Sequence, residues 1–123
     1  QIALIIRSEF KNDPNSIKFF TPDSFSQQIG LMRRPKGYKI KPHLHKRIKR
    51  EVLYTNEVLF IKKGLVKVDF YDENKNYLHS KIIREGDILL LIKGGHGFTI
   101  LEEAEIYEIK QGPYVGEEDK LRF

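Results

Sequence analysis

Turn signals recur so densely along this chain that they leave no room for a long helix. They fall at KNDPN (11–15), TPDS (21–24), RPKG (34–37), KKG (62–64), DENKN (72–76), EGD (85–87), KGGHG (93–97) and QGPYVG (111–116). Gly, Pro, Asn and Asp each favour a backbone reversal for a different steric reason, and the intervals between them have strand length. Short strands at near-regular spacing predict an all-β sandwich or barrel.

The intervals carry the matching periodicity. Glu57, Leu59 and Ile61 alternate with Val58, Phe60 and Lys62, and after Gly64 a second alternation sets Leu65, Lys67 and Asp69 against Val66, Val68 and Phe70. Residues 57–83 read as a meander closed by a hairpin around DENKN, and Ile88–Ile92 reads as a strand buried on both faces. Phe98–Leu101 and Ala104–Lys110 form a further pair with Glu102 and Glu103 at their turn. SFSQQI (24–29) reads as a strand because no helical period develops, and Lys46–Asn56 is a long connection.

With 123 residues, 40% of them hydrophobic, the chain suits a single domain spanning 1–123 with one core. It contains no Cys, so disulfides, thiolate ligands, iron–sulfur clusters and a cysteine nucleophile are excluded. The first ten residues, QIALIIRSEF, show no secretory signal, and the aliphatic run 88–92 is too short for a bilayer. A cytoplasmic protein without a membrane partner is the expectation.

Charge is unevenly placed. Nine of the 22 basic residues lie between Arg33 and Arg50 with no acid among them, whereas residues 102–119 hold seven acids against Lys110. A basic field beside a binding site favours anionic small molecules, and its rival is a solvated face paired elsewhere in the fold. Nucleic acid is not the expected partner, because few aromatic residues interleave with the basic cluster.

Chemistry concentrates in His43, His45, Glu57 and His96. Alternation along a strand projects His43 and His45 to one side while Leu44 points away, and Pro42 before them suits a strand end. Glu57 shares a face with Leu59 and Ile61, a place for a carboxylate that has a partner inside. His96 stands among glycines in GGHGF, where the backbone turns sharply. Two imidazoles, a carboxylate and a third imidazole are the nitrogen and oxygen donors that divalent Zn, Fe, Mn or Ni uses. The competing reading makes the histidines surface and turn residues and pairs Glu57 with a lysine. Lys110, Gln111 and Tyr114 could orient a substrate, although the shaping of a reversal by Gly112-Pro113 is the stronger reading, and His79 is expected to face solvent.

Gly37, five residues, His43-Leu44-His45, then Glu57, six residues and Gly64 resembles the first motif of the cupin superfamily. Gly86, five residues, Ile92-Lys93-Gly94 and His96 resembles the second. The segments from Glu51 to Asp72 and from Gly86 to Phe123 are similar to a subgroup of small bacterial cupins found in polysaccharide-biosynthesis settings. The resemblance spans about residues 17–123 and implies a jelly-roll, or double-stranded β-helix, barrel. It further implies a metal held by His43, His45, Glu57 and His96, a sugar or sugar derivative in the barrel mouth, and a homodimer. Eleven residues separate His45 from Glu57, longer than the usual motif, so Glu51 is a rival carboxylate; Ile92 stands where Pro is usual and His96 comes one residue early. The expected function is a metal-binding cupin that acts on or binds such a small molecule or, alternatively, a non-catalytic binding or sensing module, or a metal-free sugar isomerase or epimerase with His43 or His45 as base.

Overall fold

The computed structural model describes residues 1–123. The chain is all-β with no α-helix, about 45% of it in strands. It divides into two compact units, residues 1–9 with 54–123, and residues 10–53.

The larger unit is one five-stranded antiparallel sheet. Its strands are β1 (Ala3–Ile6), β4 (Glu57–Tyr71), β5 (Tyr77–Arg84), β6 (Ile88–Leu91) and β7 (Gly95–Lys110). Along the order β1-β6-β4-β5, β4 pairs with β6 through its first half and with β5 through its second, while β7 lines its other edge throughout. The smaller unit holds the hairpin of β2 (Ser16–Phe19) and β3 (Gly30–Arg33).

The two alternations expected on either side of Gly64 belong to one strand, which changes parity as it passes the glycine. Leu59 and Ile61 are buried before it, and Val66, Val68 and Phe70 after it. Register shifts between Ile61 and Val66 achieve the change, so one face stays apolar along the whole strand. Gly64 sits at φ +102°, and a Cβ there would lie 2.7 Å from the Ala104 Cα and would strike the Glu103 carbonyl. The expected Phe98–Leu101 and Ala104–Lys110 pair is likewise a single strand: both segments bond to the long edge of β4, and Glu102 and Glu103 form no reversal.

These bulges curl the sheet into a half-barrel. His96 lies beside Phe70 at one end of β4, and Glu57 lies at the other end, thirteen residues away. A flat strand of that length would separate them by about 43 Å, yet their side chains approach to 3.7 Å. Inside the curl the core comprises Leu59, Ile61, Val66, Val68, Phe70, Ile83, Leu89 and Leu91, against which Ile2, Ala3, Ile5 and Ala104 pack. Leu89 and Leu90 are both fully buried, as the apolar run at 88–92 predicted.

Two turns fix the frame. At DENKN, Asp72 Oδ1 accepts bonds from the amides of Asn74 and Asn76, both at 2.9 Å, closing the hairpin where expected. Between β5 and β6, Asp87 is fully buried and its carboxylate accepts from Arg7 Nη1 at 2.8 Å, Ser8 N at 2.9 Å and Arg84 N at 3.0 Å. Burial raises this carboxyl, but the bonds from Arg84, Ser8 and Arg7 together outweigh it and hold it below its ordinary value.

In the smaller unit two expectations are corrected. Residues 24–29 form turns and bends instead of a strand, because Gln28 Nε2 donates to the carbonyls of Pro22 and Phe25, both at 2.9 Å, and closes the backbone on itself. His43 and His45 lie outside any strand: from Arg34 to Asn56 the backbone takes no ladder partner, and eight cations with Pro35 and Pro42 give it little reason to.

Candidate metal centre

Glu57 is the first residue of β4, flanked by Leu91 of β6 and Lys110 of β7. The residue before it is anchored on both sides. The Asn56 amide donates to the Gln111 side chain, and Asn56 Nδ2 donates to the Ile92 carbonyl at 2.8 Å. Gln111, weighed in the sequence as a substrate contact, therefore fixes the backbone that carries Glu57. The Gly112-Pro113 peptide is cis and Tyr114 is exposed.

From this anchored position the Glu57 side chain, 12% exposed, points into the curl with the buried Leu59 and Ile61. His96 faces it from β7, its ring 31% exposed and tilted against Phe98 at 5.5 Å. The 3.7 Å from His96 Nε2 to Glu57 Oε2 is too long for a hydrogen bond. Burial lowers the His96 imidazole below its ordinary value; Glu108 opposes this and Lys120 adds to it. The ring is therefore neutral at pH 7 and keeps a lone pair available.

Glu108 is the residue that sequence reasoning missed. It pairs with Leu59 and so shares the face of Glu57. Burial first, and then the Glu108 carboxylate, raise Glu57 above its ordinary value; Lys110 pulls it down, a hydrogen bond with Glu108 raises it again, and Lys120 lowers it. The signal was available in the alternation of Ile106, Glu108 and Lys110 along β7, hidden inside a block of acids.

In the smaller unit His43 and His45 hold their rings edge to face at 5.4 Å. The shared side predicted from their spacing is kept without a strand. His43 Nδ1 lies 2.9 Å from the Lys41 carbonyl, which only accepts, so Nδ1 carries the proton and Nε2 is left as a donor to a metal. The expected ligands thus fall as two pairs, Glu57 with His96 and His43 with His45. No group of three or more His, Asp or Glu side chains is assembled for a metal.

The chain matches no protein-family model, no curated protein and no solved structure. No helix is long and apolar enough to cross a membrane.

Two donors bound to one tetrahedral zinc at about 2.0–2.2 Å stand about 3.4 Å apart, close to the separation of Glu57 and His96. A cation at this position would also offset the burial and the neighbouring Glu108 carboxylate that raise Glu57.

Proposed function

We propose that this chain is a metal-binding barrel protein of the cupin type that takes a small molecule, a sugar or sugar derivative, at the metal. The observation that carries the reading is the approach of Glu57 to a neutral His96 from opposite ends of the curled β4–β7 ladder. Glu57 and His96 in one unit, and His43 and His45 in the other, are the candidate donors to Zn, Fe, Mn or Ni. A metal with an open position supplies Lewis acidity toward a carbonyl or lowers the pKa of water.

The residues of the chain supply the rest. Glu108 shares a hydrogen bond with Glu57, and Lys110 and Lys120 temper the negative charge there. The basic segment 33–50 would draw an anionic substrate toward His43 and His45.

A second reading has its own support. A carboxyl raised by burial and by a neighbouring carboxylate is suited to general acid–base work without a metal, as in a sugar isomerase or epimerase. Elemental analysis after dialysis separates the readings. Stoichiometric metal in the native chain, lost in the His43→Ala, His45→Ala double variant, supports the first; turnover undiminished in strong chelator supports the second. Light scattering tests the homodimer.

A further inference from the structure

The inner face of β5 carries two residues that an apolar core does not explain. Val66, Val68 and Phe70 pair across β4 with Ile83, Lys81 and His79, and directly opposed residues share a face. Ile83 is fully buried there, and Lys81 and His79 continue its side of the strand toward the open end of the sheet, where both are exposed. Leu78, Ser80 and Ile82 occupy the outer side, although on alternation alone a soluble strand would place its lysine with them.

What these side chains face is a cavity of about 500 Å³. It is lined by Gln1, Ile2, Ala3 and Ile5 at the β1 edge, by Phe70 of β4, and by His79 and Lys81 of β5. The topology explains the opening. β1 and β5 end the strand order β1-β6-β4-β5, and curling brings these two edges toward each other without pairing them. Ala3, Leu91 and Glu57 form one cross-strand row; His79, Phe70 and His96 form the row facing it. The cavity therefore lies on the same inner face as the Glu57–His96 approach, displaced sideways by the width of the Leu91 and Phe70 strands.

The volume lies within the range of small-molecule sites, about 300–1,000 Å³. Its lining is chemically one-sided. Four apolar side chains are joined by the Gln1 amide, an ammonium and an imidazole, and no carboxylate lines it. The His79 ring is held at 5.3 Å from the Phe70 ring, and Lys81 makes neither an ion pair nor a hydrogen bond within the protein. We infer that this cavity binds a small anion with an apolar body, of the medium-chain carboxylate class, with the headgroup on Lys81 and His79 and the body against Ile2, Ala3, Ile5 and Phe70. The site is independent of the metal reading.

Calorimetric titration with octanoate and with uncharged octanamide, on protein dialysed against EDTA, tests it. Octanoate binds, and octanamide binds about tenfold more weakly, the scale of one charge-assisted hydrogen bond. Lys81→Gln raises the octanoate Kd about tenfold and leaves octanamide unchanged, Lys81→Arg restores the preference, and Lys93→Gln, a change at an exposed lysine outside the cavity, does nothing. Equal affinity for the two probes, an unaltered Lys81→Gln variant, or no octanoate binding into the millimolar range overturns the inference. A dimer by light scattering that excludes octanoate also overturns it, since a second copy would then fill the space.

Discussion

Glu57 and His96 meet at 3.7 Å although the pairing of β4 with β7 places them at opposite ends of the ladder. The contact exists only because β4 bulges between Ile61 and Val66. Everything that bends this strand therefore bears on the site.

Gly64→Ala tests that dependence. The substitution puts a Cβ at positive φ against Ala104 and the Glu103 carbonyl. A loss of about 2–3 kcal/mol in urea unfolding is expected, together with weaker metal binding. Leu89→Ala serves as a comparison, since it empties a fully buried position in the core at a cost of about 2–5 kcal/mol without altering the bulge.

Asp87 gives the fold an acid limit. Its folded pKa is depressed, so the stabilisation is complete above the unfolded value and disappears as pH falls through the folded one. Stability measured from pH 6 to pH 2 should decline below about pH 4. Asp87→Asn should be less stable at neutral pH and lose much of that slope.

Glu57 has the opposite sign. Its folded pKa is raised, so the protonated form favours folding below the unfolded value, and that contribution is lost as pH rises through the folded one. In EDTA, Glu57→Gln should be at least as stable as the native chain above pH 6, and with zinc present the order should reverse. Thermal unfolding at pH 7 with and without metal measures both.

His96 links metal binding to protons. Its lowered pKa keeps the ring neutral until pH falls below the ordinary histidine value, and a ligand imidazole must be neutral. Zinc affinity should hold near pH 7 and fall steeply on acidification, and His96→Ala should bind about tenfold or more weakly at every pH.

Much of the architecture was legible as chain pattern. The alternations at 57–61 and 66–70, the DENKN turn and the apolar run at 88–91 each came from local chemistry that the structure keeps. The placement of Glu57 among Leu59 and Ile61 announced a carboxylate with an interior partner. What local pattern could not give was the continuity of β4 through Gly64, because a bulge is defined by the partner strand. His79 is exposed, as expected; that it shares a side of β5 with Lys81, opposite Val68 and Phe70, follows only from the register. The strand expected at His43 and His45 did not form because alternation gives a direction to side chains without supplying a ladder partner.

An anomalous-scattering map from a crystal of the zinc-loaded chain tests the central claim most directly. One peak about 2.0–2.2 Å from both Glu57 Oε2 and His96 Nε2 is predicted. A map with no peak at Glu57 and His96, or with zinc held by Glu51 in their place, would contradict it.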